Sequence, residues 1–254
     1  MIFETSESLF KDLEKKVFTK EVWLNHWYPR ICEYLEINPE EDRTALEKTL
    51  KVVKSVYPSY GLKQLLGGKR TIAIAPGVNL EDEIDFYLNK IKSNDDILIS
   101  ADGATTYLNA LGIIPHIIVT DFDGNISDQL LAQQKGSILL IHVHGDNYPT
   151  LKNHTKSILD GKFILTTQTN PLIGSHNFFG FTDGDRIVCL ASLMNAKEIK
   201  LIGYDFGSSI GKYSKNFDMD KYHKSRKMKK FTIGKSIINW CYNSSQKISF
   251  LSDA

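Results

Sequence analysis

Three cysteines in 254 residues, Cys32, Cys189 and Cys241, are too few, too scattered and the wrong parity for a C-x-x-C motif or a disulfide framework. A reducing, cytoplasmic setting fits that usage. No apolar run reaches the roughly 18 residues that a membrane helix needs. The opening MIFETSESLFKDLEKK has acids from position 4 and no greasy stretch, so it lacks the layout of a secretory signal. Charge of one sign is also missing: 31 basic and 30 acidic residues leave a net +1. No global field draws such a chain onto nucleic acid or an anionic membrane, and any anion binding must be local. The 42% hydrophobic, 24% charged and 11% aromatic content excludes a disordered or low-complexity chain.

What is present divides in two. Apolar positions at helical spacing run from Val17 to Leu35 and from Leu46 to Val56, with Asn38-Pro39-Glu40-Glu41 forming a helix-opening cap. These predict an N-terminal helical domain over 1–66, in which Trp23 and Trp27, four apart, belong to a core. A catalytic α/β domain over 67–254 is expected to follow. There, consecutive apolar runs recur at TIAIA (71), DILIS (96), HIIVT (116), SILLIHV (137), KFILTT (162) and EIKLIG (198), most of them separated by helix-length stretches. Unbroken apolar strands fit a parallel sheet buried on both faces, and the alternation predicts a doubly wound, Rossmann-like α/β fold. KYHKSRKMKKFTIGKSIINW from 221 reads as a helix, and KISFL at 247 as a closing strand.

Open parallel sheets collect ligands beyond the carboxyl ends of their strands, so the residues after each run matter most. They are APGVN (75–79), ADGAT (101–105), TDFDG (120–124) and HVHGDN (142–147). Asp121 and Asp123, two apart at a strand end, project the same way and suit Mg²⁺ or Mn²⁺, and Asp146 supplies a third carboxylate. The plainer alternative for D-F-D-G is an Asx-turn with a helix cap. His142 and His144 form an H-x-H pair, read as structural or supporting histidines ahead of zinc ligands, with His144 the more functional of the two. Gly77 and Gly103 stand at strand-to-helix turns, where a missing side chain lets phosphate approach a helix N-terminus. Neither carries a Walker or dinucleotide fingerprint.

The stretch NFFGFTDGDR (177–186) offers Phe178, Phe179 and Phe181 for stacking on a flat ring, and Arg186 for a phosphate. The competing reading is a hydrophobic loop docked on the sheet with an aspartate cap. Lys224, Arg226, Lys227, Lys229 and Lys230 form either a solvated helix face or a neutralising patch for a triphosphate.

Taken in order, ADGAT, TDFDG, HVHGDN, the TTQT at 166–169, NFFGFTDGDR and LIGYDFG at 201–207 resemble the archaeal 6-hydroxymethyl-7,8-dihydropterin pyrophosphokinase family, across residues 71–231. That family is similar in fold and mechanism to thiamine pyrophosphokinase. The resemblance implies Mg²⁺-dependent transfer of the β,γ-diphosphate of ATP to the pterin hydroxymethyl group, in folate or methanopterin-type coenzyme synthesis. It further implies Asp121, Asp123 and Asp146 as metal ligands. Asp102 matches the ADG turn and joins Gly77, Gly103, Arg186, Lys227 and Lys230 on the nucleotide, and Gln168, Phe179, Asp183 and Asp185 are expected on the pterin. HGDN replaces the K-D-x-T-D stretch of thiamine pyrophosphokinase, so His144 is read as a positioner of phosphate. Other readings remain: a D-x-D nucleotide-sugar glycosyltransferase, thiamine pyrophosphokinase itself, a zinc hydrolase on His142 and His144, or a nucleotide-binding regulatory module. The sequence leaves a homodimer open.

Overall fold

The computed structural model describes residues 9–207, 209–214, 221–245 and 247–251. A 3₁₀ turn over Leu13–Lys15 leads into one helical run composed of α1 (Lys20–Val22), a π-turn over Trp23–Trp27 and α2 (Tyr28–Leu35). Glu36, at φ 55°, turns left-handed and ends it. Helix α3 (Pro39–Val52) opens as the cap predicts, since the Asn38 side chain accepts from the Glu40 N–H and Pro39 fills a first-turn position. The helix stops at Val52 instead of running on toward Val56, because Val53 turns extended and the chain then bonds to a strand. Leu165 N donates to Ser55 Oγ at 2.9 Å and Tyr57 N to the Phe163 carbonyl at 3.1 Å. Helix α4 (Ser59–Leu66) precedes the sheet.

The sheet comprises β1 (Arg70–Ile74), β2 (Ile97–Ala101), β3 (Ile117–Thr120), β4 (Ile138–His142), β5 (Phe163–Thr166), β6 (Ser175–His176), β7 (Glu198–Ile202) and β8 (Ile248–Phe250). Its order is β6-β5-β4-β3-β2-β1-β7-β8 and every pairing is parallel. Helices α5 (Leu80–Phe86), α6 (Ala104–Ala110), α7 (Ile126–Gln134), α8 (Tyr148–Leu159), α9 (Asp183–Leu193) and α10 (Lys221–Ser245) connect or flank the strands. The fold is thus the doubly wound α/β arrangement. Every long apolar run became a strand, whereas β6 has two residues and no apolar run to announce it.

Alternate strand residues supply opposite faces, as pleating requires. Ile99, Ile117, Leu140, Ile164 and Leu201 face α9 and α10, while Ile72, Ile74, Leu98 and Ile202 pack with Leu80, Ile84 and Leu108 of α5 and α6. Nearer β4 and β5, the latter face buries Leu139, Ile141, Phe163 and Leu165 with Ala45 and Leu46 of α3. The N-terminal helices do not close a core of their own. Trp23, Trp27, Ile31, Leu62 and Leu66 lie in one continuous cluster with sheet residues and with Ile237 and Trp240 of α10. Each large side chain so buried contributes roughly 1.5–3 kcal/mol, which binds the helical segment to the sheet.

Candidate active site at the strand ends

Three carboxylates meet beyond the carboxyl ends of β2 and β3. Asp102 follows β2, Asp121 follows β3 and Asp183 opens α9, and one oxygen from each lies within 4.8 Å of the others. Parallel register aligns the two strand ends, Ala101 opposite Val119, and the Asp102 N–H donates to the Val119 carbonyl. The chain then bends sharply, with Asp102 at φ 30° and Phe122 at φ 60°. Phe122 is buried beneath this turn. Its N–H donates to Thr120 Oγ1, whose hydroxyl donates to Asp102 Oδ1 at 3.0 Å, and Gln129 Nε2 donates to the same oxygen. Asp183 arrives from the opposite side of the sheet on a turn that needs glycine: Gly180 sits at φ 83°, and a side chain there would strike the Arg186 backbone.

The group is electrostatically unsatisfied. Burial, then the charges of Asp121, Asp102 and Asp123, push the Asp183 carboxyl well above its ordinary range, against a lowering pull from Arg186. Asp121 is held low: burial alone would raise it, but the hydrogen bond and charge of His144 outweigh that. Asp121 Oδ1 is nevertheless buried without a hydrogen-bond partner. Three convergent hard oxygens, one orphaned, with like-charge repulsion between them, fit a small divalent cation such as Mg²⁺ or Mn²⁺.

The loop after β4 supports this group. His144 Nε2 lies 3.3 Å from Asp121 Oδ2 and its Nδ1 3.1 Å from Asp146 Oδ1. Burial disfavours the imidazolium, but both carboxylates favour it, and the balance raises its pKa to about 9. Asn147 locks the loop: its Nδ2 donates to the carbonyls of Asp121 and His142, and its Oδ1 accepts from the His144 N–H. Beside Asp146 opens a groove of about 420 Å³, lined by Glu41, Thr44, Lys48, Gly145 and Tyr148 among others.

Of the residues read as metal ligands, Asp121 is in the carboxylate group. Asp123 is exposed, and the Asp146 side chain is 92% exposed with His144 as its ion-pair partner. Asp102 and Asp183, expected at the nucleotide and the pterin, complete the group instead. His142 is buried, with its imidazolium disfavoured by burial, and Nδ1 3.2 Å from Thr166 Oγ1. Among the described residues the one group of three or more acidic, histidine or cysteine side chains that could hold a metal ion contains neither His142 nor His144.

Several expected ligand contacts are used up inside the protein. Gly77 and Gly103 are close-packing positions: a side chain on Gly77 would overlap the Gly203 carbonyl, and one on Gly103 the Tyr213 carbonyl. After Gly77, the backbone N–H groups of Val78 and Asn79 donate to Asp205 Oδ2. The crevice between β1 and β7, where the strand order reverses, is therefore filled by the chain itself. Asp185 is fully buried and spent on the α9 cap, accepting from Phe181 N, Thr182 N and Thr182 Oγ1. Phe179 lies in the core against Phe18, Trp23 and Trp240. Phe178 stacks on His176 at 5.5 Å.

Arg186 is buried beside the site, Nη1 3.1 Å from Asp183 Oδ1 and Nη2 3.5 Å from Gln168 Oε1. Arg226 and Lys229 reach carbonyls of Leu35 and Tyr34 at the end of α2, Lys227 donates to Ser214, and Lys230 lies 6.0 Å from the Phe181 ring centroid. The basic cluster is largely engaged in fastening α10.

Asp42 was not anticipated. Beside Glu40 and Glu41 it looks like one more acid in a helix first turn, yet it is buried and accepts from Tyr28, Gln168 and Gly145. Gln129 and Asn147 were missed as well, and only the Asn147 position, ending the HGDN run, carried a sequence signal.

The sequence matches the family described as 6-hydroxymethylpterin diphosphokinase MptE-like over residues 45–211. Three curated archaeal proteins named 6-hydroxymethyl-7,8-dihydropterin pyrophosphokinase are similar to it. The protein from Pyrococcus furiosus is 37% identical over 222 residues, covering 85% of this chain and 92% of that one. The Methanothermobacter thermautotrophicus protein is 35% identical over 206 residues, 79% of this chain and 84% of its own. The protein from Methanocaldococcus jannaschii is 32% identical over 224 residues, 84% and 92% respectively.

Proposed function

The chain belongs to the MptE-like family of 6-hydroxymethylpterin diphosphokinases and is an enzyme of that class, and from this premise we propose that it transfers the β,γ-diphosphate of ATP to 6-hydroxymethyl-7,8-dihydropterin with Mg²⁺, releasing AMP. The acceptor oxygen forms a bond to the β-phosphorus, the bond between that phosphorus and the α,β-bridging oxygen breaks, and the hydroxyl proton leaves. The observation that carries the metal-dependent reading is the meeting of Asp102, Asp121 and Asp183 around an orphaned carboxylate oxygen.

Those three side chains would hold the ion, which when bound neutralises and polarises phosphate oxygens. The protein's own residues do the rest. Thr120 and Gln129 fix Asp102, and Asn147 fixes the loop that carries His144. His144, its pKa raised to about 9 by Asp121 and Asp146, sets a positive charge beside the carboxylate group, and exchange of its Nδ1–H from the exposed Asp146 to a phosphate oxygen would make a charge-assisted bond there. The groove beside Asp146 has the size of a small-molecule site and is the place we assign to the pterin ring, with Tyr148 on its wall. We further place the reaction in folate or methanopterin-type coenzyme synthesis in the cytoplasm. No helix among the described residues is long and apolar enough to cross a membrane, and the three cysteines are free and buried.

Incubation with ATP, Mg²⁺ and the pterin, with thiamine as a parallel acceptor, tests the reading. AMP formed only with the pterin is expected. ADP would indicate a simple kinase, and AMP with thiamine the sister activity. No nucleotide consumption would overturn the reading in favour of a D-x-D transferase, to be tried with UDP- and GDP-sugars. The geometry disfavours that last reading, since of Asp121 and Asp123 only the former lies in the carboxylate group.

A further inference from the structure

Asp42 is 3% exposed, lies in the first turn of α3, and receives three hydrogen bonds. Tyr28 OH donates to its Oδ2 at 2.6 Å, Gln168 Nε2 donates to the same oxygen, and the Gly145 N–H donates to Oδ1 at 2.7 Å. All three partners act as donors, which is what an ionised carboxylate accepts. Two of them belong to loops of the site: Gly145 follows His144, and Gln168 follows β5. The family match starts at residue 45, so Asp42 lies just outside it.

The amide of Gln168 passes this polarity on. With Nε2 committed to Asp42, Oε1 faces Arg186 Nη2 at 3.5 Å, and Arg186 Nη1 in turn meets Asp183 Oδ1 at 3.1 Å. The Gln168 backbone is held as well, its carbonyl accepting from Trp23 Nε1 at 2.9 Å. A one-directional chain thus runs from the N-terminal helices to the carboxylate group: Asp42 sets the amide, the amide orients the guanidinium, and the guanidinium holds Asp183.

We propose that Asp42 is a positioning residue for the diphosphate transfer, through which the N-terminal helices fix the orientation of Gln168 and Arg186 and hence the place of Asp183. This rests on the reading given under Proposed function. It explains why a buried charge is kept where a neutral side chain of the same size would fit: an asparagine in its place would offer an amide N–H to Gln168, the Gln168 amide would rotate to accept it, and a donor would then face Arg186.

A polarity exchange tests this. In Asp42→Asn the chain is inverted, and in Gln168→Glu two carboxylates oppose each other. The double variant restores every bond. The introduced asparagine amide donates to one oxygen of the introduced glutamate, whose other oxygen accepts from Arg186. The asparagine carbonyl oxygen still accepts from the Gly145 N–H, and Tyr28 OH rotates to accept. We expect each single variant to lose about tenfold or more in kcat with a smaller change in KM for ATP, and the double to recover most of it, the non-additivity that direct coupling produces. Mn²⁺ binding, measured by calorimetry without substrate, is expected to weaken about threefold or more in each single variant and return in the double, as direct coupling requires. Wild-type kcat in both single variants, or losses that simply add in the double, would overturn the proposal. Should a single variant fail to fold, the double decides alone: folded with kcat near wild type it supports the assignment, and folded but about tenfold slower it refutes it. If the wild type makes no AMP from ATP and pterin, the functional reading fails, and the metal titrations still judge Asp42.

Discussion

His144 Nε2 lies 3.3 Å from Asp121 Oδ2, and this contact joins the loop after β4 to the strand end that carries the central carboxylate. It is also the main reason Asp121 stays ionised despite burial: the hydrogen bond and charge of the imidazolium are the largest pull on its carboxyl, with smaller help from Asp123 and Arg186. His144→Gln keeps a side chain of similar reach but removes the charge, leaving Asp121 to repel Asp183 and Asp102 alone. Steady-state AMP release is expected to fall by about 10²-fold, within the range for losing one charged group beside a transferring phosphoryl. Wild-type turnover would show that His144 only braces the loop.

Asp183→Asn separates stability from activity. The carboxylate is crowded by Asp121, Asp102 and Asp123, so an amide relieves repulsion while its carbonyl oxygen still accepts from Arg186. Tm in EDTA is expected to equal or exceed the wild-type value. Turnover should fall by on the order of 10²-fold or more, and the rise in Tm that Mn²⁺ gives the wild type should shrink, because ligand stabilisation follows affinity for the folded state. Asp121→Asn should behave likewise, whereas Asp123→Asn, outside the group, should retain much of its activity. Equal loss from Asp123→Asn would show that the substrate-bound metal recruits it.

The fold was legible because each strand of the sheet interior is buried on both faces and therefore reads as an unbroken apolar run. Ser175–His176 has no such run, since an edge strand of two residues needs only backbone pairing. Asp121 and Asp102 were legible as acids at strand ends. Asp42 was not, because its role depends on Gly145 and Gln168, 103 and 126 positions further on, and in sequence it merely extends Glu40-Glu41. Gly77 and Gly103 were misleading for the same reason. The residues that meet them, Gly203 and Asp205 at Gly77 and Tyr213 at Gly103, are remote in sequence, and their close approach by itself demands glycine.

Asp96 anchors the other end of the sheet. It accepts from Arg70 Nε at 2.6 Å and Nη2 at 2.8 Å, from Tyr87 OH at 2.8 Å and from the Ser93 N–H at 2.8 Å. Burial would raise its pKa, but Arg70, the Ser93 N–H and Tyr87 together hold it below the ordinary carboxyl value. A depressed folded-state pKa means that the carboxylate stabilises the fold above the unfolded-state value of about 3.9, and that this contribution fades as pH falls through the lower, folded-state value. Asp96→Asn leaves Arg70 without its counter-charge and should cost about 3 kcal/mol near pH 7. At about 2–4 °C per kcal/mol for a chain of this size, Tm drops by about 6–12 °C. The gap between variant and wild type should close in acid, and a gap independent of pH down to about 3, below the unfolded-state carboxyl value, would place the effect in packing instead of charge.

Gly103→Ala and Gly124→Ala are expected to fail differently, although both insert one methyl group into the same loop cluster. At Gly103 the methyl would overlap the Tyr213 carbonyl, which is backbone and can yield only if the whole 211–214 segment shifts. At Gly124 it would overlap the carboxylate of Asp102, a side-chain end that rotates away once its bonds to Thr120 and Gln129 are given up. Gly103→Ala should therefore be mainly a folding lesion, in the range of about 1–3 kcal/mol for overpacking, with kcat per folded molecule changed little. Gly124→Ala should keep most of its stability but lose metal affinity, because Asp102 is one of the three side chains that would hold the ion. Thermal denaturation and Mn²⁺ calorimetry on both variants read the two effects separately. If Gly124→Ala binds Mn²⁺ like the wild type, Asp102 is not a ligand, and the carboxylate group is reduced to the Asp121 and Asp183 pair.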